Sequence, residues 1–333
     1  MNGTPASSTV IGTIAAFVGA ILIAGCGGTV LLNPTRSTAN DPGGLQDTRL
    51  PAAARIVAIG DVHGDLLSLR RVLRMTGVVD RRDKWIGGKA VLVQVGDILD
   101  RGEDERAILE LMRRLRGEAA AVGGRVITLI GNHEVMNAVG DFRYVTPGGF
   151  SDFDSTPGLE HAAPKAELPA FDAARKAAFS PGGLWARRIA RFGVVAVVGN
   201  TLFVHGGLLP KYARYGLNRI NRETRMWLLG DRRMPRWVNR ADSPLWLRKF
   251  AEKDNPDMCE TLAETLELTG VKRMVVAHTV QPNGPTQACS GRVWRIDVGM
   301  ARAYGGRSAA IEIRGKKVRI IDRFAAATGA PAK

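Results

Sequence analysis

Two carboxylates, an imidazole and two glycines are packed into GDVHGD (Gly60 to Asp65), directly after the apolar run Ile56 to Ile59. Alone, this stretch reads equally as a polar turn or as half of a metal site. The chain then repeats the pattern. Asp97 and Asp100-Arg101-Gly102 follow a second apolar run in GDILDRG, and Asn132-His133-Glu134 follow a third in GNHE. His205 closes a fourth run in VHGG, and His278 closes a fifth in VVAHT. Of the five histidines, only His161 lies away from such a position. A single histidine after a strand is ordinarily structural; four with aspartate and asparagine companions make a ligand set. Carboxylate, imidazole and amide oxygen together suit Zn, Fe or Mn rather than calcium or thiolate-loving copper. Asp97 is placed to bridge two such ions. Two metals ~3.5–4 Å apart can hold a hydroxide and clamp a phosphoryl oxygen for in-line attack. Glycines beside the ligands (Gly60, Gly64, Gly96, Gly131, Gly206, Gly207) let backbone approach without a Cβ in the way.

The elements that must carry these residues are legible from periodicity. Arg55–Gly60, Ala90–Gly96, Arg125–Gly131 and Arg273–His278 read as buried strands. Leu66, Leu69, Val72 and Leu73, then Ile108, Leu111, Met112 and Leu115, sit at helical spacing. Val194–Val198 and Thr201–His205 flank Gly199-Asn200 as a hairpin. Val293–Val298, Ala309–Arg314 and Lys317–Ile321 read as antiparallel strands, the last two joined around Gly315. Residues 141–190, rich in Pro, Gly and Ala, read as an insertion with helical pieces. The order β-α-β-α-β followed by hairpins predicts an α/β sandwich with mixed sheets. Ligands of such sheets sit at the carboxyl ends of strands, where every polar motif of this chain falls.

GDVHGD, GDILDRG, GNHE, HGG and AHT, in this order and spacing, resemble the calcineurin-like metallophosphoesterases. The DRG and GNHE forms point to the phosphoprotein-phosphatase branch. GNHEVMNAVGDFRYVTP, HGGLLPKYARYGLNRIN, SPLWLRKF and DVGMARAYGG resemble the Shewanella-like protein phosphatases within it. The match covers roughly residues 55–321 and implies a four-layer α/β/β/α sandwich with the site at the sheet edge. It also implies roles. Asp61, His63 and Asp97 would hold one metal; Asp97, Asn132, His205 and His278 the other. His133 would be the general acid, oriented by Asp100. Arg101, Asn132 and Arg248 would contact the phosphate, with Trp246 and Phe250 expected to present Arg248 from one strand face. A hydroxide on the two metals (Mn, Fe or Zn) would then attack phosphorus directly, and His133 would protonate the leaving oxygen, a step typically worth ~10²–10⁴-fold. The expected substrate is a phosphorylated protein or small phosphate ester. The alternative is a dinucleoside polyphosphate hydrolase of the diadenosine tetraphosphatase type, which shares GDxHG, GDxxDRG and GNHE. The chain departs from the eukaryotic Ser/Thr phosphatases in having no SAPNY-like stretch after His278. A non-catalytic scaffold would have lost metal ligands, and none is missing.

The bulk numbers agree. In 333 residues, 45% hydrophobic and 24% charged content is that of a folded chain with a sizeable core. A net charge of +15 favours anionic partners. The arginines are scattered and aromatic residues are few, so no nucleic acid is expected. Three cysteines without a C-x-x-C exclude a zinc ribbon or thioredoxin motif. Cys259 and Cys289 are expected as two separate buried thiols, with pairing as the alternative. No charged side chain precedes Arg36, and the 23 residues Val10 to Leu32 are apolar enough to span a bilayer core of about 30 Å. Residues 1–35 are therefore expected to be a membrane anchor or signal segment, 36–53 a linker, 54–325 the phosphoesterase domain and 326–333 a tail. LIAGC, ending at Cys26, resembles a bacterial lipobox and offers lipid attachment instead, but Met1 to Val10 lacks the usual basic residues. The basic residues after the span give only a weak orientation.

Overall fold

The computed structural model describes residues 47–154, 170–252 and 254–322. The expected anchor, Cys26, His161 and the 326–333 tail lie outside these residues. Among the described residues no helix is long and apolar enough to cross a membrane.

The elements run β1 Arg49–Leu50, β2 Ile56–Ile59, α1 Leu66–Met75, β3 Val91–Gln94, α2 Glu105–Ala121, β4 Arg125–Thr128, α3 Asn132–Val139, α4 Pro147–Ser151, α5 Ala170–Phe179 and α6 Leu184–Ile189. They continue with β5 Val195–Val198, β6 Thr201–Val204, α7 Pro210–Tyr215, α8 Leu217–Leu228, α9 Pro256–Thr269, β7 Arg273–Val276, β8 Thr286–Ala288, β9 Val293–Arg295, β10 Ala309–Arg314 and β11 Lys317–Asp322. Two mixed sheets form, in the orders β11-β10-β2-β3-β4 and β1-β5-β6-β7-β9-β8. In the first, β2, β3 and β4 are parallel and β10 joins β2 antiparallel.

The layering follows from alternation along the strands. Ile56, Ala58, Val91 and Val93 share a buried cluster with Ala196, Val198, Phe203 and Val275, so the inner faces of the two sheets pack on each other. The intervening Val57, Ile59 and Leu92 join Leu69, Val72, Ile108 and Leu115 of α1 and α2, while Val197, Leu202 and Met274 join residues of α8 and α9. The result is the predicted α/β/β/α sandwich. Chain-local chemistry sets the helix starts that matter: Asp65 caps α1 by accepting from Ser68 N at 2.9 Å, and its other oxygen accepts from Arg302 N.

Four expectations change. Val293–Arg295 pairs parallel with β7 and antiparallel with β8, so it belongs to the second sheet and not with β10 and β11. The antiparallel partner β8 is a chain neighbour, but the parallel pairing with β7 is set by tertiary packing and not by the strand's own pattern. The SPLWLRKF stretch is a series of turns, so Trp246 and Phe250 do not present Arg248 from a strand. Cys259 and Cys289 form a disulfide, tying the start of α9 to the turn between β8 and β9. β1, inside the stretch read as linker, extends the second sheet beside β5.

Candidate active site

All the strand-end motifs meet at one end of the sandwich. Asp97 is the hub. Its Oδ1 accepts from His133 N at 2.9 Å, in the first turn of α3. Its Oδ2 lies 3.2 Å from His205 Nε2 and 3.9 Å from both His63 Nε2 and His133 Nε2. One oxygen is thus fixed to backbone and the other faces three imidazoles. Asp61 Oδ2 lies 3.9 Å from His63 Nε2, Asn132 Oδ1 lies 2.9 Å from His205 Nε2, and His278 Nδ1 lies 3.2 Å from the same nitrogen.

The ring nitrogens not facing Asp97 show how the ligands are aimed. A carbonyl oxygen can only accept, so His63 Nδ1 donates to Leu99 O at 3.0 Å and His205 Nδ1 donates to Val95 O at 2.8 Å. Each turns its Nε2 toward the centre, the nitrogen a metal ion would take. Burial keeps both His63 and His278 neutral, with pKa values pushed down to about 4 and about 2. Buried carboxylates crowd the same place. Burial together with Asp297 and Asp97 raises Asp61 well above the usual range, and burial raises Asp297 and Glu134 too. The protein's own charges leave this cluster short of positive charge, and bound cations would supply it. His63, Asp97 and His133, and likewise Asp97, His205 and His278, each offer ligand atoms within 4.8 Å of one another. The donor set therefore fits two metal ions sharing Asp97.

The backbone is bent to achieve this. His63, Asp97, Asp100, Arg101 and His278 all have left-handed φ, from 46° to 69°. Each such non-glycine residue costs of order ~1–3 kcal/mol and must be held. Glu134 does much of the holding: it accepts from Gly131 N, Asp97 N, Ile98 N and Leu99 N at 2.7, 3.0, 2.8 and 3.1 Å. Two glycines are sterically required. A Cβ on Gly131 would sit 2.1 Å from Asp97 Oδ1, and one on Gly60 would sit 2.5 Å from Ile296 O, where the two sheets converge.

His133 differs from the other imidazoles. Its Nδ1 is 2.6 Å from Asp100 Oδ2. Burial would depress it, but the Asp97 and Asp100 carboxylates outweigh burial and push it up to about 8. It is thus a ring built to carry a proton. Arg101 donates its backbone N–H to Tyr144 O at 2.9 Å, and its guanidinium lies 3.9 Å from the Tyr144 ring centre and 5.5 Å from that of Tyr304. Its Nε is buried without a partner among the described residues. Tyr304 in turn lies 5.1 Å from the His63 ring, so Arg101 borders the ligand cluster. Arg248 is exposed and donates through Nη1 to His278 O at 2.8 Å and Thr279 Oγ1 at 3.0 Å. The structure thus brings Asp61, His63, Asp97, Asp100, Asn132, His133, His205 and His278 together, with Arg101 and Arg248 beside them.

Four further residues reach it to which the sequence assigned no role, although Asn137 and Asp297 lie in the quoted stretches. Asp297 sits beside Asp61 but falls inside Val293–Val298, which reads as a strand, so nothing marked it as a strand-end residue. Glu105, Asn137 and Arg175 form a buried network behind Asp100, and no spacing announces it.

The profile of the family described as "Calcineurin-like phosphoesterase" matches residues 54–282. Shewanella-like protein phosphatase 2 of Arabidopsis thaliana is 39% identical, over 81% of this chain and 78% of that one. Shewanella-like protein phosphatase 1 of Plasmodium berghei (strain Anka) is 31% identical, over 74% and 67%. Among solved structures, a cold-active protein tyrosine phosphatase superposes with a TM-score of 0.69 at 22% identity, over 84% of this chain and 79% of that one, which speaks to the fold.

Proposed function

The chain belongs to the calcineurin-like phosphoesterase family and is a hydrolase of phosphoric esters, and from that premise we propose that it is a phosphoprotein phosphatase. The observation that carries the mechanism is His133, held through Nδ1 by Asp100 with Nε2 turned toward Asp97. Asp61, His63 and Asp97 would hold one metal ion and Asp97, Asn132, His205 and His278 the other. When bound, the two ions supply Lewis-acid activation of water and of the phosphoryl group. Arg101 and Arg248 grip the non-bridging phosphate oxygens, assisted by Asn132, and stabilise the charge that grows there. His133 Nε2 delivers a proton to the departing oxygen while Asp100 balances the imidazolium. No covalent phospho-enzyme forms. The protein substrate is supported by likeness to the two Shewanella-like protein phosphatases. With Mn²⁺ supplied, phosphotyrosyl, phosphoseryl and phosphothreonyl peptides are to be assayed beside dinucleoside polyphosphates. Preferential cleavage of the dinucleotides would move the protein to the nucleotide hydrolases.

The apolar stretch Val10 to Leu32 supports membrane attachment, as an uncleaved span or through lipid on Cys26. A chain beginning near Gln46 is then expected to remain in the supernatant when the full chain sediments with membranes.

A further inference from the structure

We propose that Arg175, on α5 in the 141–190 insertion, is a positioning residue for the reaction: it fixes the Asp100 carboxylate, and through it the His133 ring, in the orientation that delivers the proton. This rests on the reading of His133 as general acid.

The guanidinium is fully buried, and each of its nitrogens is engaged. Nε donates to Asn137 Oδ1 at 2.7 Å. Nη1 donates to Glu105 Oε2 at 2.5 Å and to Gly149 O at 2.6 Å. Nη2 donates to Glu105 Oε1 at 3.0 Å and to Asp100 Oδ1 at 3.4 Å. Asn137, itself oriented by Arg175, donates to the same Asp100 Oδ1 at 2.8 Å and to His133 O at 2.9 Å. Glu105 accepts from Asp100 N. Every group that touches Asp100 on the side away from the imidazole is therefore held by Arg175 or is Arg175. Asp100 has only one oxygen left, and it faces His133 Nδ1.

The surroundings make the arrangement rigid. The rings of Phe153 and Phe179 both lie 5.1 Å from the guanidinium carbon, and that of Phe150 lies 5.9 Å away. Aromatic faces attract the cation, and burial shields these hydrogen bonds from bulk solvent. The insertion also clips onto the loop that carries Asp100. Tyr144 O accepts from Arg101 N, Thr146 Oγ1 donates to Gly102 O at 3.0 Å, and Asp152 Oδ2 accepts from Arg106 N at 2.6 Å. A segment that reads as an accessory in sequence supplies the cation, its aromatic enclosure and the clips around one carboxylate. A staple for folding alone would not need two donors to converge on the Asp100 oxygen opposite the imidazole.

The test separates proton delivery from stability by leaving group. Arg175→Lys keeps the charge but cannot span these acceptors. It is compared with His133→Asn on p-nitrophenyl phosphate, whose leaving group scarcely needs a proton, and on phenyl phosphate, whose leaving group does. A general acid is worth ~10²–10⁴-fold, so Arg175→Lys is expected to slow phenyl phosphate by about 10- to 100-fold and p-nitrophenyl phosphate by less than about threefold. KM and metal content should not change, and in the His133→Asn background the same substitution should leave the ratio between the substrates unaltered. Equal slowing of both substrates would reduce Arg175 to a structural staple and overturn the proposal. Should Arg175→Lys fail to fold, Asn137→Ala approaches the same Asp100 oxygen without exposing a buried charge, and the same selectivity or its absence decides. If His133→Asn itself shows no preference between leaving groups, the general-acid reading falls and this proposal with it. If His133→Asn is selective and neither supporting variant is, only the role of Arg175 falls.

Discussion

Two arginines flank the site and could hardly be treated more differently. Arg175 is sealed behind Asp100 with every nitrogen engaged, whereas Arg248 stands exposed and uses one nitrogen to reach His278 O and Thr279. A guanidinium whose donors are all satisfied by the protein can only define geometry. One with donors to spare, anchored beside a ligand histidine, can turn to an incoming anion. Burial and hydrogen-bond occupancy, rather than residue type, divide positioning from substrate contact.

The largest effect expected is at Asp97, which touches both sides. Asp97→Asn removes the shared charge and should lose metal, measured by elemental analysis, and lower turnover of p-nitrophenyl phosphate by about 10³-fold or more, since metal activation is worth several kcal/mol. Normal turnover in that variant would dissolve the shared-ligand arrangement on which the comparison stands. Arg248→Ala comes next. A charge-assisted hydrogen bond to phosphate is worth ~1.5–3 kcal/mol, so kcat/KM should fall by roughly 10- to 150-fold with metal content intact. Lysine should restore part of it. A change smaller than about twofold would remove Arg248 from substrate contact. Salt sharpens the contrast further. The Arg248 contribution to KM should shrink as ionic strength rises toward 1 M, where the Debye length is about 3 Å, while the leaving-group effect of Arg175 should not move.

The smallest effect on activity is expected at a third arginine cluster, outside the site. Glu312 on β10 accepts from Arg55 Nε at 2.6 Å and from Arg314 and Arg319. Burial opposes ionisation there, but the Arg55 and Arg314 hydrogen bonds overcome it and hold the carboxyl down at about 2. A depressed acid stabilises the fold above its unfolded pKa, and that contribution drains away as pH falls from about 4.5 toward 2. Glu312→Gln should flatten the acid limb of the stability curve in that window, followed by denaturant unfolding, and leave turnover at neutral pH unchanged. Lost turnover would mean that arginine clusters here cannot be sorted by their distance from the ligands.

The sequence announced the strands because their apolar runs are short and, for β2, β3, β4 and β6, lead into glycine, and it announced the ligands because each stands at the end of such a run. Asp297, inside the Val293–Val298 stretch and preceded by Arg295-Ile296, did not stand out in this way. Arg175 could not be found this way. It lies 75 residues from Asp100 in an alanine-rich helix, and its meaning exists only once α5 packs against the loop after β3. The Cys259–Cys289 link likewise joins residues 30 apart, brought together by α9 and the β8–β9 turn rather than by any spacing signal. Arg248 was legible as a residue but not as a conformation. Trp246 and Phe250 at alternate positions imitate a strand, and the turns of 243–250 owe their shape to Ser243, to Pro244 and to the backbone of Gly206, whose N–H donates to Pro244 O.

Glu134 has a consequence for how the enzyme can meet its substrate. Its carboxylate sits in a ring of four backbone amides, from Gly131, Asp97, Ile98 and Leu99. Successive inward-pointing amides of this kind form a concavity suited to anions. Here the anion is built in. The cradle that another phosphate-handling protein would present to its ligand is already occupied by the chain itself. On the proposed mechanism, recognition of the phosphate would fall to side chains, above all Arg101 and Arg248. Substrate preference should therefore be easier to re-engineer at those two positions than the frame that supports them.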